Sequence, residues 1–229
     1  ELDFDTQNFD LFQNGEEMVK VNTTQKPPVD PDSPGAPVAA ALRAMLGAPL
    51  TYTVAADGTL EKIGGFAAFT NRIAAAVPNG RQRAKMQELY DEDTLKRYGD
   101  FADTWPGHPV KVGDSWTSKK DVANETGVMT VNATYTFKDW QRHGGHNCMD
   151  VLINGDITTK SASAAATGAI IKVRKGTITG EGWFDPDLGA FVEIDDETDL
   201  TLDIAARQRN LTQQFKENIQ VTLQGITSQ

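Results

Sequence analysis

Between residues 168 and 204 apolar and polar positions alternate along two arms. In the first arm Ile178, Gly180, Gly182 and Phe184 fall on one side, and Thr177, Thr179, Glu181 and Trp183 on the other. In the second, Val192, Ile194, Leu200, Leu202 and Ile204 share a side opposite Glu193, Asp195, Glu197, Asp199 and Asp203. Asp196 and Thr198 interrupt the apolar row. A period of two is the spacing of a strand with one covered face. Between the arms stands Asp185-Pro186-Asp187-Leu188-Gly189, where Pro186 presets φ and Gly189 can take the positive φ that closes a turn. The pattern predicts a β-hairpin whose arms reach roughly 50 Å at about 3.3 Å per residue, longer than an ordinary strand.

The same period runs through most of the second half. Met129, Val131, Ala133, Tyr135 and Phe137 alternate outward, and Met149, Val151, Ile153, Gly155 and Ile157 alternate back. A last strand is predicted from after Ala206 to Ile226, with Phe215, Ile219, Val221 and Leu223 as its apolar set. Residues 161–166 are small and fit a loop or a crowded strand. The first half reads differently. Leu2, Phe4, Phe9, Leu11 and Phe12 suggest one edge strand, and residues 18–21 another. A proline-rich connector at 27–37 follows. Helical stripes then appear at 38–46, 66–77 and 82–98, the last with Met86, Leu89, Tyr90, Leu95 and Tyr98 on its buried side. A hairpin around Asp57-Gly58 separates the first two.

These elements predict an α+β fold, a long curved antiparallel β-meander (a half-barrel) wrapped around two or three helices. One domain of 229 residues is expected: N-terminal strands and connector at 1–36, a helix-rich part at 37–109 and the meander at 110–229.

Composition narrows the partners. A formal charge of -10 disfavours nucleic acid, whose binding rests on Lys and Arg neutralising phosphates. No apolar run approaches the length of a membrane span. The lone Cys148 forbids an internal disulfide. The start at Glu1 reads as a processed or trimmed product, so that any export signal would be out of view.

Candidate chemistry is sparse. His143-Gly-Gly-His146 offers two imidazoles to a metal, with Cys148 and Asp150 nearby, but three or four convergent ligands are needed, and a flexible turn is the expectation. Glu193, Asp195, Asp196, Glu197 and Asp199 form an acidic ladder that suits calcium or a glycosidase pair. A solvated strand face that resists edge pairing explains it more simply. No G-x-S-x-G elbow is present, and Cys148 lies in a strand pattern as a small hydrophobe.

Three stretches carry a resemblance: residues 53–65 (TVAADGTLEKIGG), 109–116 (PVKVGDSW) and 180–185 (GEGWFD). Across roughly residues 30–205 the chain resembles domains of uncharacterised bacterial exported proteins and lipoproteins, with a curved β half-barrel around helices. The resemblance implies an extracellular, periplasmic or envelope location and a fold that holds an apolar ligand or an acyl chain. It transfers no catalytic residue.

The expected function is therefore a non-enzymatic exported binding or scaffold module of the bacterial envelope, without a cofactor. Tyr135, Phe137, Ile153 and Val192 are the candidate lining of an apolar gap between helices and sheet, with Trp183 as a further ligand-binding candidate. The partner would be an apolar small molecule or another envelope protein. Two alternatives stand beside it: a structural subunit that self-associates by strand addition, and a glycan-active hydrolase using the acidic strand residues.

Overall fold

A computed structural model describes residues 2–24, 36–54, 60–77, 80, 83–84, 90–96, 104–124, 127–162, 169–206 and 209–223. Its elements are β1 (Leu2–Gln13), β2 (Glu16–Asn22), α1 (Ala36–Met45), β3 (Thr51–Val54), β4 (Leu60–Gly64), α2 (Phe66–Ala76) and α3 (Glu92–Lys96), then β5 (Ser115–Asn124), β6 (Gly127–His143), β7 (His146–Ala162), β8 (Ala169–Asp185), β9 (Ala190–Ala206) and β10 (Arg209–Leu223). Eight strands form one antiparallel sheet in the order β2-β1-β10-β9-β8-β7-β6-β5, and β3 and β4 pair separately. The sheet is open, with β2 and β5 at its edges. This is the α+β curved meander that the alternation predicts.

The organising hairpin is β8–β9. Gly189, at φ 66°, donates its N–H to the Asp185 carbonyl at 2.9 Å. The Asp187 N–H donates to Asp185 Oδ1 at 2.8 Å and completes the turn. The N-terminal strands form, but β1, expected at an edge, is paired on both sides, between β2 and β10. β1 pairs with β10, so the first and last strands meet, with Leu2 opposite Leu223. β10 ends at Leu223, and the predicted continuation to Ile226 lies outside the described residues, as do residues 27–35 of the connector, the Asp57-Gly58 turn and residues 163–168; the connector's last two positions, Ala36 and Pro37, are the start of α1 instead.

Directly paired residues point to the same face of a sheet. Trp116, Tyr135, Ile153, Gly180, Asp196 and Ile219 therefore form one inward row across six strands. Ala133, Gly155, Ile178, Thr198, Glu217, Phe9 and Val21 form the next. The small residues in these rows accommodate the bend. A Cβ at Gly180 would stand 2.6 Å from the Asp195 carbonyl oxygen of the neighbouring strand.

Two separate clusters of buried side chains cover this inward face among the described residues. In the first, Leu42 and Met45 of α1, Phe69 and Ile73 of α2, and Leu95 of α3 pack against Val19, Val21, Ile219 and Val221 of β2 and β10. Among the described residues the helices thus cover the β2-β1-β10 side, a narrower contact than the sequence suggests. In the second, Trp116, Phe137, Met149, Val151, Phe184 and Phe191 are capped by Trp105 from the loop before β5. The Trp105 ring lies 4.0 Å from that of Phe184, 5.5 Å from Trp116 and 5.7 Å from Phe191. The third predicted helix is described only in part: Tyr90 lies in a turn, Leu95 is fully buried, and Met86, Leu89 and Tyr98 lie outside the described residues.

Candidate functional site

Between the two clusters the inward face changes character. Asp196 stands opposite Ile219 and Gly180, and Glu217 opposite Thr198 and Phe9. Each carboxylate therefore replaces an apolar residue on the sheltered side, diagonal to the other on β9 and β10. Both keep partial solvent contact. Burial, then the charge of Asp195, pushes the Asp196 pKa up to about 6. Burial, then the charge of Asp196, pushes Glu217 up to about 7. From the helical layer, Tyr90 packs edge-on to Phe69, with ring centroids 6.5 Å apart. Burial, then the nearby charge of Glu217, holds the Tyr90 hydroxyl protonated well above its usual range. Two carboxyl groups of intermediate acidity thus lie diagonal to each other on the inward face, with the Tyr90 phenol near enough to feel the charge of Glu217. They can hold or exchange a proton, and they can accept hydrogen bonds from a polar group on a mainly apolar guest.

Of the five ligand-binding candidates, Tyr135 and Ile153 lie in the Asp196 row. The Tyr135 ring stacks on Trp116 at 5.8 Å. Phe137 is on the same face but fully buried inside the second cluster. Val192 is buried at a β-bulge, and its Cγ1 lies 3.0 Å from where a Cβ would stand on Gly144. Trp183 is on the opposite, convex face, so the structure does not bring it together with the others. Glu217 is the candidate site residue that the sequence does not single out. Its position was marked, because Phe215, Ile219, Val221 and Leu223 alternate around it and leave a polar gap at 217.

The acidic ladder divides between the faces. Asp196 points inward, while Glu193, Asp195 and Asp199 engage neighbours on the convex face. Glu193 accepts a hydrogen bond from Gln220 at 2.8 Å, Asp195 from Asn218 at 2.9 Å and Asp199 from Gln214 at 3.0 Å. Lys175 lies 3.6 Å from Asp199. These are cross-strand polar contacts of a solvated face.

The turn after β6 departs from the expected flexible loop. His143 stacks on Trp183 and its Nε2 lies 2.8 Å from Glu193, while His146 Nδ1 lies 3.0 Å from Asp185. The tip is thus hooked across β8 and β9. The two imidazoles take different carboxylates, and among the described residues no group of three or more His, Cys, Asp or Glu side chains is placed to hold a metal ion. Under the hook Cys148 is fully buried, and burial, then the charge of Asp185, pushes its thiol pKa up. A thiol in that state is a poor nucleophile.

An open half-barrel, helices over one side and a carboxyl pair at the seam, defines a class by architecture. The chain belongs to a family of unknown function (DUF6263), whose model matches residues 1–189. No curated protein and no solved structure matches it. Among the described residues no helix is long and apolar enough to cross a membrane.

Proposed function

We propose that the protein is a non-enzymatic binding module of the bacterial envelope, holding a mainly apolar small molecule on the inward face between the helices and the sheet. The observation that carries this reading is the break between the two apolar clusters, with Asp196 and Glu217 at the break and Tyr135 and Ile153 in the same row. Apolar walls with a few convergent polar groups of shifted pKa are the usual make-up of a small-molecule site. The envelope location draws on the resemblance at residues 53–65, 109–116 and 180–185. Native mass spectrometry of protein purified without detergent tests the reading. A co-purifying mass released by organic extraction is expected, and binding of an apolar fluorophore should weaken in Tyr135→Ala. A protein of bare chain mass that binds no such fluorophore would refute it.

A second reading draws on the same carboxyl pair. Two acids with pKa values of about 6 and about 7 can act as proton donor and acceptor near neutral pH, as glycoside hydrolysis requires. Turnover of chromogenic glycosides, bell-shaped in pH and abolished in both Asp196→Asn and Glu217→Gln, would favour this reading over simple binding. Strand addition is the least supported alternative. The edge strands carry Glu16, Glu17 and Lys20 on β2 and Lys119, Lys120 and Asp121 on β5, and charges on an edge oppose pairing with another chain.

A further inference from the structure

On the convex face, next to the hook, two buried polar atoms have no hydrogen-bond partner among the described residues. Asp150 stands directly opposite Trp183 in the β7–β8 register. Asp150 is 1% exposed. Among the described residues, its Oδ1 and the Trp183 Nε1 are both enclosed without a hydrogen-bond partner. Leaving a buried donor or acceptor unpaired costs about 1–3 kcal/mol, so such atoms are rare and call for an explanation.

Facing residues on paired strands are close enough to interact, so a direct bond between these two would be the ordinary outcome. Both side chains are instead clamped in other directions. Asp150 Oδ2 accepts from Gln141 Nε2 at 2.6 Å and lies 3.2 Å from Lys138 Nζ, which fixes the plane of the carboxylate. The Trp183 ring is held under His143, with centroids 4.1 Å apart and planes 10° from parallel. What remains is one N–H donor and one carboxylate acceptor, on residues that face each other across β7 and β8. A hydroxyl group matches both, because it accepts from the indole and donates to the carboxylate in the same position. Beside Asp150, Lys138 and Glu181 form an ion pair, with side chains 44% and 35% exposed. Both are long side chains able to swing aside.

We propose that Trp183 Nε1 and Asp150 Oδ1 form a binding subsite for one hydroxyl of a polyhydroxylated small molecule on the convex face, separate from the inward site. Burial, then the Glu181 carboxyl beside it, makes Asp150 a weaker acid than usual.

The test is a titration of the full chain with glycerol, glucose and N-acetylglucosamine, followed through the indole N–H resonances. The Trp183 signal is assigned by its loss in Trp183→Phe. A saturable shift of that signal with at least one probe is expected. Asp150→Leu, which keeps the shape but removes the acceptor, should weaken the binding at least about tenfold, while Asp150→Asn, which keeps an acceptor oxygen, retains most of it. Thermal melting checks that each variant folds. Should Asp150→Leu not fold, calorimetry on Trp183→Phe carries the same test by deleting the donor. A Trp183 signal unmoved by every probe, with a persistent water–indole cross-peak, would mean a structural water only and would overturn the proposal. So would a direct Trp183–Asp150 bond, or probe binding indifferent to both substitutions.

Discussion

His143 lies flat on Trp183, two strands away, with ring centroids 4.1 Å apart and planes 10° from parallel. That contact turns a glycine-rich hairpin tip into a hook. Its imidazole also reaches Glu193 of β9, so one side chain ties β6 to both β8 and β9. His143→Ala should release the tip. The expected cost is about 1 kcal/mol, the scale of one aromatic stack plus a part-exposed pair. Hydrogen exchange should quicken at residues 143–148 while the amides of α1 and α2 stay protected. His143→Phe keeps the stack and should recover most of that protection. Equal loss in both variants would give the Glu193 contact the larger share.

The second apolar cluster should fail through a single side chain. Trp105 touches three aromatic rings of β5, β8 and β9 and lies in no regular element. The Trp116 Nε1–H donates to the Thr104 carbonyl at 2.8 Å and pins the loop in place. Trp105→Ala is expected to cost about 3 kcal/mol in a urea melt, since the cavity would be lined by rings unable to collapse into it. A loss below about 1 kcal/mol would mean that the loop is dispensable to that face.

Gly65 sets the junction between β4 and α2. It has φ 81°, and a Cβ there would lie 2.7 Å from the Pro49 carbonyl oxygen. Gly65→Ala should therefore destabilise by about 1–3 kcal/mol, because both the backbone conformation and the backbone contact exclude a side chain. Gly80→Ala, where a Cβ would meet nothing within 4 Å, serves as the control and should change stability little.

How far the sequence speaks follows from which signals are local. The β8–β9 hairpin was legible because alternation and turn chemistry sit side by side at Asp185 and Gly189. The pairing of β1 with β10 was not legible, since period two states which face a residue takes and nothing about which strand lies beside it. Asp196 announced itself as a break in an apolar row, yet its companion Glu217 lies 21 positions away on the next strand. Their proximity exists only once register is known. The hook at His143 is hidden for a related reason: glycines at 144 and 145 signal a turn, while the partners that restrain it are on β8 and β9.

The carboxyl pair makes stability fall as pH rises, with a sign that can be worked out. Asp196 and Glu217 move from ordinary values of 3.8 and 4.5 in the unfolded chain to about 6 and about 7 in the folded one. Below about pH 4 both states are protonated and the pair contributes no difference. Through the interval from about 4 to about 7 the unfolded chain sheds these protons while the folded chain keeps them, so folding loses ground as pH rises. Above about pH 7 the full cost of two ionised, partly buried acids remains. Their solvent contact reduces that cost to on the order of 1–2 kcal/mol for the pair. Exposed carboxylates held by lysine, such as Asp121 beside Lys160, act in the opposite sense, so the readout is the difference between wild type and variant rather than either curve alone. Glu217→Gln is neutral at every pH and should gain on the wild type steadily as pH rises, with most of the gain between urea melts at about pH 4 and about pH 8. Asp196→Asn should behave likewise, and the double variant should gain less than the sum, because the charge of Asp196 is part of what raises the pKa of Glu217. Parallel curves for wild type and both variants would place these two acids in open water and remove the polar half of the inward site.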